Sequence, residues 1–353
     1  MARMKIYSTP CQSGAHASSH ADQTLRRLHA LSREKLHDLV ADPAEADFIF
    51  LSNLPLDVEQ REVRDHPLVR KYLHKTYAFW DAWNTPYLLP GVYVNATRGS
   101  GLGRFRTVSY ALLHPDFKNP LIENFGRPPL ERQPDLLFSF LGRNCHPSRD
   151  TIFKTQYRRS DLFIEDTSRF DAFTHANEGK EPAQRHYLEV CLRSKFILCP
   201  RGVGASSIRL FEALRLGIAP IIVSDAWMPC VGPDWNRCAI FIKEAEVHRL
   251  EEIVSAHEHR WAEMGRAARE IHDHYFADDV YFNFLVANIE SVAKSRVVPE
   301  RVVSWLWPLT IAKYKARRRW TSLPPGTRAR YLTSRIFEKL RIIKVRTPTV
   351  LTF

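Results

Sequence analysis

The stretch from residue 194 to residue 225 constrains the fold of this chain most, because it reads as strand, glycine loop, helix and strand in succession. Its first apolar run ends at Pro200, which is typical of a short buried strand. Gly202 and Gly204 follow in a turn that lets the backbone approach a ligand closely. The serines at 206–207 then offer an N-cap for a helix. The stretch therefore predicts one β-α-β unit of an α/β fold.

The helix of this unit has an apolar face and a polar face, and the polar face carries Arg209 and Glu212 three residues apart. Gly217 is expected to end the helix, and a strand over 218–223 follows it. Asp225 would then lie at the carboxyl end of that strand. In open α/β sheets, ligands bind at the carboxyl ends of strands and at helix N-termini. The unit thus predicts a pocket with amide N–H groups, two arginines and a glutamate.

The composition fits a globular protein of two domains. The chain has 353 residues, of which 44% are hydrophobic and 25% are charged, which allows a sizeable core. It contains no apolar run of about 18 residues, and its first residues show no apolar signal-peptide region. The six cysteines form no CxxC pair and no zinc-type spacing. We therefore expect free thiols in a cytoplasmic protein.

Positive charge is concentrated near the end of the sequence. Residues 301–353 contain 13 Lys or Arg and one acid, Glu338, so this segment carries the whole formal net charge of +12. Aromatic and apolar residues beside clustered bases predict an interfacial segment on an anionic membrane surface. The alternatives are a solvated basic face, helices packed on the body, or nucleic-acid binding. Nucleic acid is disfavoured because the rest of the chain is neutral and has no recognised nucleic-acid motif.

Apolar runs alternate with amphipathic patterns along the rest of the chain. Strands are predicted over 5–8, 46–51, 86–94, 107–113, 136–141, 162–165 and 238–243. Helices are predicted over 21–40, 68–80, 150–158, 184–193, 247–256, 257–274 and 279–295. A proline-rich linker near 126–135 separates two α/β halves that would face one another across a cleft. We place an acceptor-side domain at 1–130, a donor-binding domain at 131–295 and a basic amphipathic tail at 296–353.

The central stretch resembles the exostosin family of glycosyltransferases. The resemblance rests on SKFILCPRG (194–202), SSIRLFEAL (206–214), IAPIIVSD (218–225), GPDW (232–235) and LLFSFLGR (136–143) with Arg149 beyond it. HPLVRKY (66–72) and LLPGVYV (88–94) resemble the bacterial branch. The resemblance implies a GT-B architecture, in which two Rossmann-like domains hold a nucleotide-sugar donor in the second domain. It also implies transfer of a sugar, from a UDP-linked donor, to a hydroxyl of a glycan or lipid-linked glycan, with inversion.

The leaving diphosphate needs cations and helix-terminal amides placed where water is excluded. The residues expected in this role are Arg201, Gly202, Gly204, Ser206, Ser207 and Arg209. The resemblance implies that Glu212 accepts hydrogen bonds from the ribose hydroxyls, as acidic residues do in dinucleotide sites. Arg143, Arg149 and Asp225 are secondary candidates on the donor side. The alternatives to these binding roles are ordinary structural ones. In them Arg201 is a solvated loop residue, Arg209 and Glu212 form a salt bridge with each other, and Asp225 caps a turn.

Inverting transfer also needs a general base beside the acceptor hydroxyl. Asp81, His114 and Asp116 are candidates because they sit at or near the ends of first-half strands. No DxD motif is present, and the adjacent acids at 278–279 read as a helix cap. We therefore expect transfer without a divalent metal or other cofactor. A non-catalytic, exostosin-like subunit that binds nucleotide sugar and supports a partner enzyme is the alternative.

Overall fold

The computed structural model describes residues 3–12, 20–55, 58–80, 86–99, 103–126, 132–170 and 180–322. Within these ranges the chain forms two parallel β-sheets covered by helices, which confirms the expected α/β class with two Rossmann-like halves. All six cysteines are free thiols, as predicted. No helix among the described residues is long and apolar enough to cross a membrane.

The first half is built on a six-stranded sheet. Its elements are β1 (Lys5–Pro10), α1 (His20–Leu31), β2 (Asp38–Leu39), β3 (Phe48–Ser52), α2 (Arg61–Asp65), α3 (Pro67–Tyr72), β4 (Thr76–Trp80), β5 (Gly91–Tyr93), β6 (Phe105–Thr107) and α4 (Pro120–Glu123). The strand order is β2-β1-β3-β4-β5-β6, and every paired strand is parallel to its neighbour.

The second half is built on a five-stranded parallel sheet. Its elements are β7 (Leu136–Gly142), α5 (Pro147–Lys154), β8 (Leu162–Asp166), α6 (Lys180–Leu192), β9 (Ser194–Pro200), α7 (Ile208–Leu216), β10 (Ala219–Val223), α8 (Trp235–Cys238), β11 (Ile240–Ile242), α9 (Leu250–Ala256) and α10 (Trp261–Ile271). The order β11-β10-β9-β7-β8 places β9 at the centre. The predicted β-α-β unit is confirmed, and Gly217 ends α7 in the left-handed region at φ 65°.

Two predicted helices of the first half are too long. The helix predicted over 21–40 ends at Leu31, because Leu39 pairs with Ile6 in the sheet and so cannot belong to a helix. The helix predicted over 68–80 ends at Tyr72, and residues 76–80 form β4 instead. These five residues are TYAFW, a β-branched and aromatic run that suits a strand. The spacing of apolar residues in this stretch is compatible with both a helix and a strand.

The strand predicted over 107–113 lies earlier, at Phe105–Thr107. The other predicted elements are present with shifted ends. In the region predicted as one helix over 257–274, α10 ends at Ile271 and a π-helical turn, His272–Phe276, follows it.

The chain returns to the first half after it completes the second. Helix α11 (Asp278–Ser295), which the sequence analysis groups with the donor-binding half, packs on α1, β5 and β6. The Arg106 guanidinium donates to the hydroxyls of Ser291 and Ser295, and the Ser109 amide donates to the Tyr281 hydroxyl. A last helix, α12 (Glu300–Ser322), leads into a second compact unit that begins at Val303.

Candidate functional site

The carboxyl ends of β9 and β10 lie side by side, because Pro200 aligns with Val223 in the parallel register. The Arg201 amide continues this pairing and donates to the Val223 carbonyl over 2.9 Å. The glycine-containing loop then turns into α7, where Ser207 holds the N-cap position with extended backbone angles. The strand end, the loop and the helix N-terminus therefore meet at one edge of the sheet, as the sequence predicts.

Three buried polar atoms at this edge have no hydrogen-bond partner among the described residues. They are the hydroxyl oxygens of Ser206 and Ser207 and the Nε atom of Arg201. The two serines are only 5% and 7% exposed, and the Ser207 hydroxyl does not cap its own helix. A buried polar group without a partner costs about 1–3 kcal/mol. A polar ligand at the start of α7 would remove that cost.

The side chain of Arg149 binds the backbone of the glycine loop. Its side chain is buried, and its three guanidinium nitrogens donate to the carbonyls of Arg201, Arg143 and Pro200 over 2.8, 3.0 and 2.9 Å. The ring of Phe140 lies under the guanidinium, 5.4 Å away. Burial lowers the pKa of Arg149 to about 10. The structure thus shows this predicted phosphate ligand holding the backbone of the loop.

Arg209 and Glu212 each have a separate partner. The Arg209 Nε donates to the Leu141 carbonyl over 2.7 Å, and its guanidinium lies over the rings of Phe140 and Tyr187. The Tyr187 hydroxyl donates to the Glu212 Oε2 over 2.9 Å. Burial raises the pKa of Glu212, although the charge of Arg209 opposes this. The sequence pattern of α6 gave no sign that Tyr187 would reach this carboxylate.

A small pocket of about 50 Å³ lies beside Glu212 and is lined by residues of both halves. The first half contributes Ser109, Tyr110, Ala111, Lys118 and Glu123, and the later part of the chain contributes Ile208, Phe211, Glu212, Arg215, His272, Phe276 and Asp278. Burial lowers the pKa of Lys118, whose Nζ lies 3.6 Å from the Glu123 carboxylate. The pocket is lined by aromatic rings and by charged groups of both signs.

A loop of the first half reaches the start of α7. The Asn95 carboxamide oxygen accepts a hydrogen bond from the Ser206 amide over 3.0 Å, and a Cβ at Gly204 would lie 2.3 Å from that oxygen. Two residues later Thr97 forms an antiparallel bridge with Trp227, which follows β10. The two halves are therefore in contact at the predicted anion pocket. Sequence reasoning did not identify Asn95 as part of the site.

Two further donor-side candidates lie at the surface. Asp225 is exposed, and its carboxylate accepts the Glu244 amide over 3.1 Å while its own amide donates to the Glu244 carboxylate. This reciprocal pair joins the end of β10 to the turn after β11. The same carboxylate, Glu244, lies 3.6 Å from Arg201. Arg143 is exposed, and its carbonyl receives a hydrogen bond from Arg149.

The structure brings together two of the three candidate bases. The Nδ1 atom of His114 accepts the Asp116 amide over 3.2 Å and lies 3.5 Å from the Asp116 carboxylate. His114 thereby caps the short turn Pro115–Phe117, and neither residue lines the small pocket beside Glu212. Asp81 lies outside the described residues.

The adjacent acids that were read as a helix cap lie in the first turn of α11. Asp278 pairs with Arg27 over 2.8 Å, and Asp279 pairs with Arg33 over 2.6 Å. In the described part of the chain, no group of three or more His, Cys, Asp or Glu side chains is arranged to hold a metal ion.

The two parallel sheets, with a first-half loop that contacts the glycine loop and the start of α7, define an α/β protein with a candidate ligand site at that edge. Residues 113–257 match the family model of the Exostosin GT47 domain. The chain is 35% identical over 92 residues to the Exostosin-1 homolog of Caenorhabditis elegans, which is 25% of this chain and 24% of that protein.

Other relatives match the same domain type over short lengths. The chain is 30% identical over 114 residues to Exostosin-1 of Drosophila melanogaster, covering 31% of this chain and 14% of that protein. It thus spans no more than about a quarter of these two relatives. Among solved structures, an alpha1,3-fucosyltransferase superposes with a TM-score of 0.36 and 13% identity, over 85% of this chain and 92% of that one.

Proposed function

We propose that this protein transfers a sugar from a nucleoside-diphosphate sugar, a UDP-linked one, to a hydroxyl of a glycan or lipid-linked glycan. One observation carries the proposal: the buried hydroxyls of Ser206 and Ser207 and the Nε of Arg201 lack partners at the start of α7. A diphosphate offers acceptor oxygens and negative charge, which suit hydroxyl donors, a guanidinium and the positive end of a helix. The exostosin domain match supports the same ligand.

In the proposed reaction the acceptor hydroxyl attacks the anomeric carbon as the bond to the diphosphate oxygen breaks, with inversion. Arg201, Arg209 and the amides of the glycine loop stabilise the charge that develops on the diphosphate. Glu212 receives the ribose hydroxyls at the edge of the small pocket. The arginines take the place of a divalent ion, so we propose transfer that is independent of metal. The proton of the acceptor passes to a base, for which Asp81, His114 and Asp116 remain the candidates.

Calorimetric titration with UDP tests the site. We expect UDP to bind the native protein and raise its melting temperature. The double variant Ser206→Ala/Ser207→Ala should bind UDP about tenfold more weakly, because two hydrogen bonds are lost. Ser255→Ala, on α9, is the matched control and should bind like the wild type. Failure of the wild type to bind UDP or any other nucleoside diphosphate would refute the proposed ligand.

Turnover separates the enzyme from the alternative of a non-catalytic subunit. Transfer from a panel of UDP-sugars to glycan acceptors, followed by NMR of the product anomer, should show inversion and should persist in EDTA. Binding without transfer would favour the non-catalytic subunit that supports a partner enzyme. We further propose a cytoplasmic setting at the inner face of the membrane, where lipid-linked acceptors are available.

A further inference from the structure

Helix α12 presents large apolar side chains to solvent. Trp305 and Leu309 lie one turn apart and are 78% and 67% exposed, and Leu306 beside them is 36% exposed. On the other side of the helix, Trp307 and Ile311 are buried. The exposed group is therefore a separate apolar face. A cluster of exposed large apolar side chains marks a surface that another phase or molecule covers.

Exposed bases follow toward the end of the helix, and two of them, Lys313 and Arg317, continue this face at intervals of one turn. Lys315, Arg318 and Arg319 are also exposed but lie on other faces of the helix. Glu300 is the one acid in the sequence of α12. Lys313 follows Leu309 by one turn, so positive charge borders the apolar group directly. We name Trp305, Leu306, Leu309, Lys313 and Arg317 the α12 surface.

We propose that the α12 surface docks this protein on an anionic lipid bilayer. Trp305 and Leu309 would enter the boundary between headgroups and acyl chains, where tryptophan is favoured. The bases would contact lipid phosphates and gain from the negative surface potential. A nucleic acid would match the charge but would leave Leu306 and Leu309 in water. The inference deepens the proposed setting at the membrane and rests on the exposure of α12, whether or not sugar transfer occurs.

Vesicle flotation of the full chain tests this docking. We expect the wild type to float with vesicles of phosphatidylcholine mixed with phosphatidylglycerol and to remain behind with phosphatidylcholine alone. Trp305→Ser/Leu309→Ser should reduce the bound fraction about tenfold, because the apolar anchor is lost. Lys313→Glu/Arg317→Glu should abolish binding, and added salt should weaken wild-type binding. Leu31→Ser, 48% exposed on α1, is the apolar control and should float like the wild type.

Two further measurements distinguish a failure of membrane docking from a failure of the proposed function. UDP titration of Trp305→Ser/Leu309→Ser should match that of the wild type, so a failure of UDP binding would bear on the proposed function alone. Equal flotation of this variant and the wild type, or equal flotation with neutral and anionic vesicles, overturns the docking. The docking proposal is also overturned if the wild type does not float with vesicles but binds duplex DNA or RNA in a salt-sensitive manner.

Discussion

At the residue scale, the surroundings of Glu212 fix the position of its carboxylate and raise its pKa. Its Oε2 accepts the Tyr187 hydroxyl over 2.9 Å, and it lies at the edge of the small pocket. Burial raises its pKa above the ordinary value of 4.5. A carboxylate accepts hydrogen bonds from both ribose hydroxyls only when it is ionised. Donor binding should therefore depend on pH through this group.

We predict that affinity for a UDP-sugar rises with pH through the raised pKa of Glu212. The esterified diphosphate of the donor does not titrate in this pH range, so the change of affinity with pH reports a titration of the protein. Glu212→Gln should weaken binding about 10- to 100-fold at neutral pH, through loss of hydrogen bonds to a charge, and should flatten the profile. Calorimetry across pH checks both. A wild-type profile that is already flat would argue that Glu212 does not contact the donor.

The same pKa shift gives the sign of a stability effect. Because the folded state favours the protonated carboxyl, the contribution of Glu212 to stability is full below 4.5 and is lost as pH rises through the raised value. Glu212→Gln should abolish this loss of stability, as measured by the free energy of urea unfolding at a series of pH values from 4.5 upward.

At the scale of elements, local signals predicted the unit β9–α7–β10 and failed for β4. Gly217 marked the end of α7 because the left-handed backbone there favours glycine. By contrast, β4 forms because Ala78 pairs with Gly91 of β5 and Leu51 of β3. Those partners are distant in sequence, so no window of local periodicity could reveal them.

Gly91 is the element-scale position that we expect to tolerate least change. Its φ is 156°, and a Cβ there would lie 2.1 Å from the Ala78 carbonyl oxygen. We predict that Gly91→Ala lowers the free energy of unfolding by about 3 kcal/mol or more, because β4 and β5 would have to separate. Urea denaturation measures the change. Gly126→Ala, with no atom within 4 Å of its Cβ, should stay within about 1 kcal/mol of the wild type.

At the scale of the whole molecule, the site depends on contacts that join distant parts of the chain. Tyr187 reaches Glu212 across 25 residues, and Asn95 reaches Ser206 across 111. The sequence predicted the residues of the loop and of α7 through their local spacing. It could not predict Tyr187 or Asn95, because tertiary packing alone brings them to the site.

The contact between Asn95 and Ser206 leads to the last prediction. An aspartate at position 95 keeps an oxygen to accept the Ser206 amide, so the link between the halves is preserved. It also places a negative charge at the start of α7, where we propose that the diphosphate binds. We predict that Asn95→Asp binds UDP about tenfold more weakly through like-charge repulsion, while its affinity for uridine is unchanged.

Ionic strength and a matched substitution make this test specific. Added salt should narrow the difference between Asn95→Asp and the wild type, because screening weakens repulsion at a partly solvated site. Asn236→Asp adds the same charge at an exposed position on α8 and should leave UDP affinity unchanged. Equal losses for UDP and uridine would instead mean that the aspartate distorts the loop. Equal UDP affinity in Asn95→Asp and the wild type would place the diphosphate away from the start of α7.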